Sequence, residues 1–88
     1  MFDVRYLGLR IVPSLAATRE MIHNGYSLQD VKMVLEEGID APRRRKIGTI
    51  ERWLQRNRKV INVVVVRDYH EILREEVWVL IHCGRFSR

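Results

Sequence analysis

The run Val63-Val64-Val65-Val66 constrains this chain more than any other feature. β-branched side chains favour extended backbone, and a strand that is apolar at every position has no face to give to water, so it belongs inside a sheet covered on both sides. Val77 to Cys83 is a second run of this kind, broken by His82. The chain has 88 residues, which predicts one domain spanning residues 1–88. Neither apolar run approaches the roughly 20 residues of a membrane helix, and no charged-apolar-small leader pattern opens the sequence. A cytoplasmic protein with no membrane partner is the expectation. The single cysteine, Cys83, has no internal disulfide mate, and without paired Cys-x-x-Cys elements no metal or other cofactor is expected.

The rest of the chain supplies what covers these strands. Near the start, Phe2, Val4 and Tyr6 alternate with Asp3 and Arg5, then Leu7, Leu9 and Ile11 take the opposite phase across Gly8. This predicts a strand with a bulge at Gly8. After Pro13, Ser14 is placed to cap a helix over residues 14–24 with Leu15, Thr18, Arg19 and Ile22 at helical spacing, Met21 beside them and Asn24-Gly25 closing it. A second helix, 27–37, starts on Ser27 with Asp30 as a capping-box partner and Tyr26 and Val31 as a staple. It carries the stripe Leu28, Val31, Val34 and Leu35 and is expected to end on Gly38 in the left-handed conformation. The short link between the two predicts an αα-hairpin. Beyond Pro42 come a mixed strand from Ile47 to Gln55, a turn at Arg56-Asn57-Arg58, a strand from Lys59 to Arg67, a polar connection from Asp68 to Glu76 and the strand Val77 to Cys83. The predicted fold is α+β, in the order β-α-α-β-β-β, with the two helices packed on one face of an antiparallel sheet.

Charge is distributed unevenly along this framework. The chain has 16 Lys and Arg against 11 Asp and Glu, a net charge of +5. Residues 1–37 and 60–88 are balanced to within one charge, whereas residues 38–59 hold eight cations (Arg43, Arg44, Arg45, Lys46, Arg52, Arg56, Arg58 and Lys59) against Asp40 and Glu51. A cationic segment of this density points to an anionic partner, either RNA or an acidic protein.

The stretch Gly25-Tyr26-Ser27-Leu28-Gln29-Asp30-Val31 with Val34-Leu35-Glu36, followed by a basic strand and a valine-rich strand, resembles a family of small prokaryotic domains of unknown function. Its members share the pattern Arg-Gly-Ile-Ser-x-x-Asp-Val ahead of three strands and are placed near RelE-like and BrnT-like toxins. The resemblance covers residues 14–84. Where family members often carry a histidine early in the first helix, this chain has Ala16. The resemblance implies a RelE-like fold, with two helices on a twisted sheet whose other face meets RNA. It also implies a ribonuclease toxin held inactive by a small acidic antitoxin.

Metal-independent RNA cleavage needs a base for the 2′-hydroxyl, an acid for the leaving 5′-oxygen and cations for the developing charge on phosphate. Histidines and tunable glutamates are the candidates for proton transfer: His70, His82, Glu51 and Glu71. Among them His82 and Glu51, with Arg85 to hold a phosphate, form the expected catalytic set. Period-2 spacing sets His82 on the face of Trp78 and Leu80, and Trp53 is placed to stack on a base or to join the core. Arg43, Arg44, Arg45, Lys46, Arg52, Arg56, Arg58 and Lys59 form the expected nucleic-acid-binding set. The alternative is a non-catalytic basic interaction module, an RNA- or acidic-protein-binding subunit that could be a homodimer.

Overall fold

The structure, a computed structural model, describes residues 3–87. Phe2, part of the first predicted strand, lies outside the described residues. The elements are β1 (Arg5–Tyr6), β2 (Leu9–Pro13), α1 (Leu15–Asn24), α2 (Leu28–Glu37), β3 (Ile39–Asp40), β4 (Thr49–Arg56), β5 (Lys59–His70) and β6 (Glu75–Ser87). They build one six-stranded sheet in the order β1-β2-β6-β5-β4-β3. The α+β class and the central position of the valine strand follow the sequence. Ile61, Val63 and Val65 of β5 join the main core with Val31, Val34 and Leu35 of α2, while Val60 and Val64, on the other face, are buried as well.

Several expectations are corrected. The sheet is mixed, because β2 runs parallel to β6 while every other pair is antiparallel. The phase switch at Gly8 is a hairpin rather than a bulge. Leu7 and Gly8 both take positive φ, 51° and 82°, as a two-residue primed turn requires, and the helices therefore follow two strands. α1 lies against β6 and β2, whereas α2 lies against β4 and β5. On α1 the buried positions are Ala17 and Met21, and the expected stripe residues Leu15 and Ile22 are exposed. Glu20 and Asn24, at helical spacing from Ala17 and Met21, bond to β6 on the same side.

Helix signals were legible in finer detail. Ser14 accepts from the Ala17 amide, and Gly25, at φ 76°, closes α1 with the Tyr26 amide donating to the Met21 carbonyl. Both halves of the Ser27–Asp30 capping box form. Gly38, however, is extended (φ −77°) and is required for a different reason. A Cβ there would stand 2.5 Å from the Val34 carbonyl oxygen and 2.7 Å from that of Trp53, so only glycine lets α2 close down on β4.

The last two strands are longer than predicted. β5 continues through His70 and β6 starts at Glu75, leaving a four-residue turn in which His70 Nδ1 accepts from the Leu73 amide at 3.1 Å. Register slips by one residue between Val64 and Val65, where Ile81 is the extra residue of β6. This bulge reverses the facing of everything after it. Beyond Leu80, where β2 has ended, α1 covers the open edge of β6. The Ser14 amide donates to the Leu80 carbonyl (2.9 Å), Glu20 Oε1 accepts from the Cys83 amide (3.0 Å), and Asn24 Nδ2 donates to the Cys83 carbonyl (3.3 Å). These bonds satisfy edge groups that a further strand would otherwise pair.

Candidate functional site

The helices occupy one face of the sheet, and the predicted site residues divide between the two faces. Register places Glu51, Val64 and His82 in one row across β4, β5 and β6 on the face away from the helices, with Trp53, Asn62 and Gly84 in the next. His82 therefore does not share a face with Trp78 and Leu80. The bulge at Ile81 turns it to the opposite side, while Leu80 and Cys83 stay in the helix-side core. Arg85 is aligned with Ile61, a helix-side position, so it and His82 point to opposite faces and the expected pairing on one phosphate is not formed.

Glu51 has a role other than the proton transfer expected of it. Its side chain is 1% exposed. Arg43 Nε and Nη2 donate to Oε1 and Oε2 at 2.9 and 2.8 Å, Arg45 Nε donates to Oε1 at 2.9 Å, and Trp53 Nε1 donates to Oε2 at 3.1 Å. The Arg43 hydrogen bonds, with Trp53 and Arg45 adding to them, outweigh burial and hold the carboxyl down at about 2. A carboxylate that is permanently ionised and saturated with donors is a poor base. It serves instead as an anchor that folds the 42–48 loop back onto β4, beside a cleft of about 240 Å³ lined by Asp40, Arg43, Arg45 and Thr49.

The basic segment is likewise divided. Arg43 and Arg45 bind Glu51. Arg52, on the helix side, donates to Asp40 (2.6 Å) and, at the C-terminal end of α2, to the Leu35 carbonyl (2.7 Å). Arg56 reaches Met33 Sδ and Lys59 reaches Ser87 Oγ. Among the described residues, the side chains of Arg44, Lys46 and Arg58 make no hydrogen bond or ion pair. Arg44 and Lys46 precede the eight-residue β4 and Arg58 follows it.

Between these ends lies an aromatic pair. Trp53 on β4 and Phe86 on β6 are separated by β5, so their backbones are about 10 Å apart, yet their ring centroids approach to 5.0 Å, edge to face. The rings lean toward each other over β5, and Val60 and Asn62 lie buried in the same rows. Asn62 is 8% exposed, and its Oδ1 has no hydrogen-bond partner.

His82 has a partner that sequence reasoning missed. Glu20 Oε2 lies 3.0 Å from His82 Nδ1 while its other oxygen holds the Cys83 amide. The imidazole lies over Gly84, where an added Cβ would be 2.9 Å from Nε2, and the side chain is 42% exposed. Glu20 stands 62 residues from His82, and no local spacing signals the pair. Asn62 was visible as the one polar break in the valine strand, whereas Phe86 lay beyond the predicted strand end.

Other chemistry finds little support in the geometry. Burial, with Glu20 and Asp30 adding their negative charge, pushes the Cys83 thiol up to about 12. Among the described residues no group of three His, Cys, Asp or Glu side chains is placed to hold a metal ion, and no helix is long and apolar enough to cross a membrane. Compared with protein-family models, curated proteins and solved structures, the chain finds no match.

Proposed function

We propose that this chain is a single-stranded RNA-binding domain of the RelE-like and BrnT-like kind that its sequence resembles, receiving RNA on the sheet face away from the helices. The observation that carries this reading is the Trp53–Phe86 pair, flanked by unpaired cations at both ends of β4. Half-exposed rings offer surfaces for bases, and Arg44 and Lys46 at one end with Arg58 at the other offer charge to the backbone on either side, the combination single strands require. An acidic antitoxin would meet the same cations and compete for them. The internal ion pairs narrow the expected binding set. Arg43, Arg45 and Arg52 organise the fold, and Arg44, Lys46 and Arg58 reach the RNA.

Fluorescence anisotropy with a labelled single-stranded RNA tests this. Affinity is expected to fall steeply with KCl, and the triple change of Arg44, Lys46 and Arg58 to Ala is expected to reduce the log–log salt slope by about 2, at roughly 0.7 for each phosphate no longer neutralised. Phe86→Ala is expected to weaken binding by about 1–3 kcal/mol at any salt concentration. No binding at low salt, or a triple variant with unchanged affinity and slope, rejects the reading.

A further inference from the structure

We propose that Asn62 is the floor of a pocket for one unpaired nucleobase of the bound strand, with Trp53 and Phe86 as its walls, an inference that rests on the RNA-binding reading of this face. Along β5 the side facing away from the helices presents Val60, Asn62 and Val64 in turn, all three buried. An apolar side chain at the middle position would complete this row, whereas an amide there gives up its hydrogen bonds to water. Only 8% of Asn62 is exposed, and among the described residues no group donates to its Oδ1. An acceptor buried in this way and left unpaired is matched to a donor that comes from outside the chain.

The groups around the amide define the chemistry of that donor. Trp53 lies in the same cross-strand row on one side, and on the other the row ends at Gly84, over which the His82 imidazole lies. Phe86, in the row of Val60, leans across β5 to meet Trp53 edge to face at 5.0 Å. Trp53 is pinned, since its Nε1 donates to Glu51 Oε2 at 3.1 Å and Glu51 is itself held by Arg43 and Arg45. Phe86 is 37% exposed and carries no polar tie, so a change of its rotamer opens the pair. A flat ring fits between the two aromatics once they part to about 7 Å, two van der Waals contacts of about 3.5 Å each. The ligand therefore combines a planar π-system with an N–H on its edge. An organic ammonium also donates and sits well on aromatic faces, but eight cations against two carboxylates in residues 38–59 repel it. A nucleotide meets every condition, its phosphates taken by the cations that flank β4. Each of the four bases carries an N–H beside an acceptor on its Watson–Crick edge, and the Asn62 amide presents the complement, Oδ1 to the N–H and Nδ2 to the acceptor. Pairing in a duplex occupies that edge, so the pocket takes unpaired bases whichever of the four is present.

The test compares, by fluorescence anisotropy at low salt, a short oligouridine with the same oligomer built from 3-methyluridine, which keeps ring and phosphates but carries a methyl in place of the edge N–H. Wild type is expected to bind the unmethylated strand at least about tenfold more tightly, the effect of one buried hydrogen bond. Asn62→Leu, close to Asn in shape and unable to accept, should bind both strands alike, within about threefold of the wild-type affinity for the methylated one. The same variant should unfold at a higher urea concentration than wild type, because the unpaired acceptor is gone, so that binding and stability move in opposite directions. Uridine 5′-monophosphate, which offers the same edge without a strand, should displace the oligouridine only at a concentration at least about 100-fold higher, since it lacks the flanking phosphates. Displacement at equal concentration would assign the pocket to a free nucleotide and overturn the strand as its occupant. Equal wild-type affinity for the two strands overturns the pocket and leaves the binding reading standing, as does an Asn62→Leu variant that still discriminates between them. The wild-type comparison decides even where the variant fails to fold. Failure of wild type to bind either strand removes the binding reading and the pocket with it.

Discussion

Replacing Glu51 by Gln tests the anchor on which the 42–48 loop depends. In the folded protein the carboxyl is held at about 2 against its ordinary 4.5. A folded-state value below the unfolded one means that ionisation favours folding, by about 1.4 kcal/mol for each tenfold difference, or about 3 kcal/mol at neutral pH. Arg43 is more than half exposed, and solvent screening reduces this toward 2 kcal/mol. The stabilisation is complete above pH 4.5 and is lost as the pH falls toward 2. Glu51→Gln removes the charge and points an amide N–H at the arginine donors, so it should lose the full amount at pH 7 and only about 1 kcal/mol at pH 3. Urea denaturation is the suitable assay, because guanidinium would screen the ion pairs being measured. With a slope of about 1.5 kcal/mol/M for a chain of this size, the midpoint should fall by about 1.3–2 M at pH 7 and about 0.7 M at pH 3. A midpoint difference of the same size at both pH values would refute an electrostatic anchor, and no difference at either would refute the anchor itself.

Two further perturbations separate effects the structure distinguishes. Gly38→Ala drives a methyl into two backbone carbonyl oxygens and should cost about 2–3 kcal/mol, a fall in Tm of about 10–20 °C. Gly25→Ala meets no atom within 4 Å and bears only the strain of its positive φ, about 1 kcal/mol or 4–8 °C, so calorimetry should rank the two in that order. Cys83 should resist iodoacetamide at pH 8 in the native protein and react once urea exposes it, as followed by mass spectrometry. Equal labelling rates in the two states would contradict its burial.

The secondary structure was largely legible because its signals are local. A serine cap bonds within three residues, a glycine closes a turn of helix beside it, and four consecutive valines exclude a solvated face wherever the chain places them. The candidate site was legible only as a set of residue types. Which faces they occupy depended on a single unpaired residue, Ile81, since with a period of two one extra residue exchanges His82 from the core side to the opposite face. Glu51 was chosen as a tunable carboxyl, yet the arginines that surround it, counted from sequence as free cations, are what keep it ionised.

By itself the sequence determined that a valine strand would be central, that two capped helices would precede it and that the positive charge would concentrate between Gly38 and Lys59. Tertiary structure alone decided which of those cations remain unpaired, that β2 would run parallel to β6, and that α1 would bring Glu20 to His82 along the open edge of the sheet. The physical reason is range: caps, turns and β-branching act through neighbours in the chain, whereas an ion pair or a sheet edge is completed by whatever group the folded backbone carries to it.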